Sequence, residues 1–106
     1  MITADESTFT DALESATTPV LVYFWATWCG PCRVLGPTLE QLETENDDAF
    51  TIVKVNADES PALAARFAVM AVPTMKLLVD GRVARTIVGS KPKAALAAEL
   101  APVLAG

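Results

Sequence analysis

The stretch VLVYFWATWCGPCRVLGP, residues 20–37, decides how the rest of the chain reads. It opens with Val20 to Ala26, a run of β-branched, aromatic and aliphatic residues without polar alternation. Such a run suits a central strand covered on both faces. It turns at Thr27-Trp28-Cys29-Gly30-Pro31 and continues as a helix carrying Leu35, Leu39 and Leu42 on one side. Pro37 lies inside that helix and is expected to kink it, since it removes a backbone donor and crowds the preceding turn. Both cysteines of the chain, Cys29 and Cys32, stand at the strand–helix junction.

A C-x-x-C pair can be a metal clip, a structural staple or a redox couple. A structural zinc site wants four ligands, usually Cys or His, and this chain has no His and no third Cys. A Cys29–Cys32 bridge closes a very small loop, and the chain-entropy gain from a disulfide grows with loop length. Such a staple holds little. Redox chemistry remains. Cysteines at i and i+3, the second inside a helix, bring their Cα atoms to roughly 5–5.5 Å, within the range a disulfide tolerates. At its reference pKa of about 8.5 a cysteine is only about 3% thiolate at pH 7. Free N–H groups and the positive dipole end at a helix N-terminus favour the thiolate of Cys29. Gly30 and Pro31 should leave Cys29 exposed and Cys32 shielded one turn in. Cys29 then attacks a substrate disulfide, and Cys32 resolves the mixed disulfide.

Outward from this junction the chain reads as one α/β domain over residues 1–106. Its 106 residues are 52% hydrophobic, ample for one core with a radius of gyration near ~13 Å. The net charge of −5, with no Lys/Arg cluster, gives no phosphate-binding footprint, so nucleic acid is not expected as a partner. The longest apolar runs are too short for a bilayer, so no membrane is expected. Read as a complete chain, the start MITADESTFT lacks a secretory signal. That makes the cytoplasm the expected compartment, where thiols are kept reduced.

Thr3-x-x-Glu6 has the form of a capping box before a helix with Phe9, Ala12 and Leu13 on one face, ending before Thr17. After the central helix the acidic segment Glu43 to Asp48 is expected as solvated surface. Phe50 to Val55 reads as a strand and Asn56 to Glu59 as a loop. Ser60-Pro61 caps a helix running to about Phe67. Thr74 to Val79 and Arg82 to Val88 read as a hairpin around Asp80-Gly81, and Ser90 opens a last Ala/Leu-rich helix. A βαβ half followed by a ββα half gives a mixed sheet with helices on both faces.

The motif F-W-A-x-W-C-G-P-C after an apolar strand is followed by A-V-P-T about forty residues later, then D-G and V-G. This pattern resembles the thioredoxin family, and the resemblance covers essentially the whole chain. It implies the thioredoxin fold, and disulfide reduction by the Cys29-Gly30-Pro31-Cys32 dithiol. The lowered thiol pKa invoked above has thioredoxins among its standing examples. It also implies that Pro73 is cis and faces the disulfide. Ala71, Val72 and Pro73, with Trp28, Gly30, Pro31, Val88 and Gly89, would form a shallow apolar surface for a substrate segment. Phe24, Trp25 and Leu39 are read as core. Thioredoxin reductase, passing electrons from NADPH, is the implied donor, and disulfide-containing proteins are the implied targets. The chain is expected to be a monomer with no bound cofactor or metal.

One departure stands out. Most members of the family carry an aspartate where this chain has Tyr23, beside a lysine that Lys54 matches. A tyrosine with a reference pKa of about 10 is a poor general base at neutral pH. Lys54, without that carboxylate, is expected to be partly neutral, to point outward, or to find Asp58 or the Tyr23 hydroxyl. Two alternatives stay open beside the general reductase: a specialised relative with a narrow partner set, and a non-catalytic module that binds through the apolar patch.

Overall fold

The computed structural model describes residues 1–46 and 48–105. Asp47 of the acidic segment, and Gly106 at the end of the expected domain, lie outside the described residues. The elements are β1 (Ile2–Ala4), α1 (Phe9–Ser15), β2 (Val20–Trp25), α2 (Gly30–Glu45), β3 (Thr51–Asn56), α3 (Pro61–Arg66), β4 (Thr74–Val79), β5 (Arg82–Val88) and α4 (Lys93–Ala105). The strands form one mixed sheet in the order β1-β3-β2-β4-β5. β3 runs parallel to both β1 and β2, while β4 is antiparallel to β2 and β5. The radius of gyration is 12.5 Å, close to the value expected from length.

β2 lies in the middle, and this is why its sequence lacks alternation: each of its faces meets a helical layer. Leu21 and Tyr23 join Ile52, Met75, Leu77 and Ile87 on one face, under Leu35, Leu39 and Leu42 of α2 and Leu96 and Leu100 of α4. Val20, Val22 and Phe24 join Val53, Val55 and Leu78 on the other, under Phe9 and Leu63. Burying each such Leu or Phe is worth about 1.5–3 kcal/mol, so the two layers together hold β2 in fixed register. α2 continues through Pro37 to Glu45; the missing amide does not end the helix. Asp80 and Gly81 both have positive φ, 52° and 78°, as a two-residue hairpin turn of the I′ kind requires.

Three expectations need correction. The Thr3–Glu6 capping box does not form, because Thr3 is drawn into β1 and pairs with Lys54 across the sheet. The turn before α1 is organised by Asp5 instead. Its Oδ1 accepts from the Ser7 hydroxyl at 2.7 Å and from the backbone amides of Ser7 and Thr8 at 2.9 and 3.1 Å. These bonds, the Ser7 hydroxyl first, hold the Asp5 carboxyl below its usual range. Glu6 reaches across to α3, where its Oε1 accepts from the Ala62 amide at 3.0 Å.

The acidic end of α2 is not all solvated surface. Glu43 is partly buried; its Oε1 takes the Met1 ammonium and its Oε2 the Ile52 amide, each at 2.6 Å. Finally, the last helix begins at Lys93 rather than Ser90. Pro92 disfavours helical backbone at the preceding Lys91, so the helix starts only beyond it.

α3 ends in a Schellman turn. The Val69 amide donates to Ala64 O at 2.8 Å and the Ala68 amide to Ala65 O at 3.1 Å. Ala68 takes the left-handed position, φ 54°, that usually belongs to glycine. We therefore expect Ala68→Gly to stabilise the protein by about 0.5–1 kcal/mol, since the strain of a Cβ in this region exceeds glycine's extra entropy loss. A urea midpoint unchanged or lowered in the variant would show that the strain is not there.

Candidate active site

The central strand delivers its C-terminal end to the start of α2, and the turn between them is tied down by Cys29 N–H donating to Ala26 O at 3.2 Å. Cys29 is the N-cap of α2, with extended backbone (φ −86°, ψ 107°). Gly30 and Pro31 follow as the first helical residues; proline loses nothing there, because those amides have no intrahelical acceptor. Cys29 and Cys32 are joined as a disulfide, with Cα atoms 5.3 Å apart, inside the interval expected from their spacing. The Cys32 amide donates to Cys29 Sγ at 3.2 Å. This places the amide to donate to a Cys29 thiolate formed on reduction, a charge-assisted bond of the kind that favours ionisation of a sulfur.

The expected difference in exposure is absent. Cys29 is 3% exposed and Cys32 4%, both within the core cluster that includes Ala26 and Leu35. With the pair oxidised, the end of β2 and the first turn of α2 close over both residues. Their inequality is one of position instead. Cys29 caps the helix and receives an amide; Cys32 lies inside the first turn.

Trp28 stands 69% exposed beside the pair. Its indole Nε1 donates to Asp58 Oδ2 at 2.7 Å. Asp58 is presented by a folded loop, in which the buried Asn56 accepts through Oδ1 from the amides of Asp58 and Glu59 at 2.9 and 3.2 Å. The sequence had offered Asp58 only as a partner for Lys54. Nothing local marks it as the anchor of Trp28, because the two residues are thirty positions apart.

The Val72–Pro73 bond is cis. The segment after it is fastened to β5: Thr74 pairs with Val88, and the Gly89 amide donates to Pro73 O at 2.9 Å. Gly89 does so with φ 91°, a conformation that suits glycine. Thr74 Oγ1 closes the turn by donating to Ala71 O at 2.6 Å. Val72 packs against the core cluster that holds both cysteines. Trp28, Ala71 and Val72 share an apolar groove of about 470 Å³ with Ala57, Pro61, Ala64, Ala65, Val69 and Met70. Gly30 and Pro31 are exposed, and Val88 is 58% exposed at the end of β5.

Tyr23 and Lys54 belong to a different space. With Cys32, Trp25, Arg33 and Glu40 they line a cavity of about 400 Å³ that Trp28 and Val72 do not reach. The Tyr23 hydroxyl is buried and donates to the main-chain carbonyl of Cys32 at 3.0 Å. Burial pushes its pKa up to about 12. It therefore keeps its proton at every physiological pH and offers no base to Cys32. Lys54 is the cross-strand neighbour of Tyr23, but it pairs neither with Asp58, which holds Trp28, nor with the Tyr23 hydroxyl, which donates to Cys32 O. Its ammonium lies 4.5 Å from the centroid of the Trp25 ring, a cation–π contact that needs no carboxylate.

Tyr23 is the only tyrosine of the chain, so phenolate absorbance reports on it alone. The folded state holds this proton more tightly than the unfolded state does. Stability is thus untouched below pH 10 and falls as pH rises from 10 toward about 12. We expect the phenolate to appear with a midpoint well above 10, or together with alkaline unfolding. A midpoint at 10 in the still-folded protein would mean that the hydroxyl is not sequestered.

The Thioredoxin family model matches residues 1–102. A thioredoxin of Streptomyces clavuligerus is 51% identical over 92 residues, 87% of this chain and 84% of that protein. One of Mycobacterium bovis is 47% identical over 100 residues, 94% and 85% of the two chains. A bifunctional thioredoxin reductase/thioredoxin of Mycobacterium leprae is 45% identical over 100 residues, 94% of this chain and 22% of that protein. Similarity of this extent, with a disulfide closed across the C-x-x-C pair at a helix N-terminus, makes the chain a member of the thioredoxin family, a thiol–disulfide oxidoreductase that acts as a disulfide reductase.

Proposed function

We propose that this oxidoreductase is a general reductant of protein disulfides, recharged by a separate thioredoxin reductase with electrons from NADPH. The single observation that carries the direction of attack is the Cys32 amide aimed at Cys29 Sγ from inside the first turn of α2. In the reduced state the Cys29 thiolate attacks one sulfur of a target disulfide. That bond breaks, and the departing thiolate takes a proton. Cys32 then gives up its proton and attacks Cys29, the second target thiolate leaves, and the Cys29–Cys32 disulfide is restored with two electrons transferred.

The face around Trp28, Gly30, Pro31, Ala71, Val72, Pro73, Val88 and Gly89 receives the target segment. Three supports favour it: the exposure of Trp28 and Val88, the groove that Trp28 shares with Ala71 and Val72, and the closeness of Val72 to the cysteine cluster. The reductase as donor is supported by the M. leprae relative, whose name joins the two activities. Among the described residues no helix is long and apolar enough to cross a membrane. We place the protein in the cytoplasm, the compartment that suits a reducing dithiol, and take it to act as a monomer.

The second reading, a relative with a narrower set of partners, draws on Tyr23. Its hydroxyl is spent on the Cys32 carbonyl and holds its proton up to about 12. Deprotonation of Cys32 then depends on solvent in the cavity rather than on a carboxylate at position 23. In single-turnover reduction of a protein disulfide by the pre-reduced protein, we expect the resolving step to rise with pH through the alkaline range. Tyr23→Asp should raise it at neutral pH by about tenfold or more, a modest share of what general acid–base catalysis supplies. The double variant Cys29→Ser, Cys32→Ser should be inert. A rate–pH profile unchanged by Tyr23→Asp would show that the missing carboxylate is immaterial and that the general role stands without qualification. Turnover by the double serine variant would sink the dithiol mechanism itself.

A further inference from the structure

The chain has three methionines, and two of them stand in opposite environments only five residues apart. Met75 lies in β4 at 0% exposure, inside the core. Met70 is 94% exposed. It is held there by a defined turn rather than by a loose loop. The Schellman turn that ends α3 fixes Ala68 in the left-handed region and turns Val69 inward onto the second core layer, so the next residue points out. The thioether thus projects from the wall of the groove that also contains Trp28, Ala71 and Val72.

We propose that Met70 is an oxidation site through which hydroperoxides modulate docking of target proteins. The step is a two-electron transfer. The thioether sulfur attacks one oxygen of the peroxide, the O–O bond breaks, and the sulfur–oxygen bond of a sulfoxide forms. Water leaves from hydrogen peroxide, or an alcohol from an alkyl hydroperoxide; the sulfur is oxidised and the peroxide reduced. The change turns a flexible apolar side chain into a polar one. At this position it sets a strong hydrogen-bond acceptor into an apolar surface, where a docking partner must desolvate it without a donor to satisfy it. The inference rests on the docking face proposed above.

The disulfide form of the protein is the right starting material, because its cysteines are already protected. Brief treatment with hydrogen peroxide, followed by peptide mass spectrometry, should show one added oxygen at Met70 before any at Met75. After removal of peroxide and reduction of the pair, kcat/KM toward a folded protein disulfide should fall by about threefold to tenfold, the range set by loss of one interface contact. The rate toward a small aromatic disulfide, which needs little docking surface, should change by less than twofold. Met70→Leu should show the same rate before and after peroxide, and Met70→Gln, a polar stand-in for the sulfoxide, should reproduce the loss without it. Oxidation of Met75 ahead of Met70, or a protein-disulfide rate unmoved by full conversion of Met70, overturns the proposal while leaving the reductase reading intact. An untreated protein inert toward both disulfides overturns that reading and this proposal together.

Discussion

Everything at the site hangs on the joint between β2 and α2. A strand hydrogen-bonded on both sides, by β3 and β4, cannot slide or tilt without breaking two ladders. Its end is therefore among the most rigid points the chain can offer. Cys29 is held to that end by its N–H donating to Ala26 O, and in the helix that follows the Cys32 amide faces its sulfur. Local charge stabilisation comes from a helix terminus, and positional precision comes from the sheet. Neither element alone supplies both, which explains why the two cysteines sit at the seam.

The remaining supports hold the walls of the site relative to that seam. The Asn56 turn brings Asp58 to the Trp28 indole, and the Pro73–Gly89 bond locks the strand after the cis proline to the end of β5. On the opposite side of α2, Glu43 links the helix to both Met1 and β3 through its two carboxylate oxygens. These are hydrogen bonds between segments far apart in sequence. Each fixes one segment against the sheet, so that the face beside the disulfide is built from separate loops yet keeps one shape.

What the sequence discloses, and what it hides, follows from this division. Periodicity and turn chemistry announce the elements that bury apolar faces, so β2, α2, the hairpin at Asp80-Gly81 and the C-x-x-C geometry are all readable. β1 is not, because three residues carry no period, and Thr3 joins a strand only because β3 has an edge to offer. The misreading of Thr3-x-x-Glu6 has the same origin: a local capping signal lost to a non-local ladder. Glu43 and Asp58 look like surface carboxylates until the fold brings Ile52 and Trp28 to them. Burial of Cys29 was hidden as well, because exposure depends on how tightly the loop closes rather than on residue type. The choice of Trp25 as partner for Lys54 was hidden too, since it depends on which side chains the sheet places within reach.

Disulfide exchange needs two kinds of access, one for sulfur and one for protons, and this fold keeps them apart. In the proposed cycle the partner's sulfur arrives over Trp28 and Val72, on an apolar face where water is easily displaced. On the other side Cys32 lines a cavity with Tyr23, Lys54, Arg33 and Glu40, into which its proton leaves in the proposed cycle. A carboxylate at position 23, against the first turn of α2, would be placed to accept the proton directly. Tyr23 cannot, since its own proton is bound more tightly than that of an ordinary thiol and is already engaged with the Cys32 carbonyl. What it contributes is mechanical: a buried bond from the central strand to the first turn of α2, at the residue whose sulfur must move between two states. Lys54 completes the exchange of roles. Its ammonium lies over the Trp25 ring, so this part of the wall joins an aromatic face to a neutral hydroxyl. At position 23 the chain therefore carries a fastening point rather than a proton acceptor, and in the proposed cycle the Cys32 proton leaves to solvent.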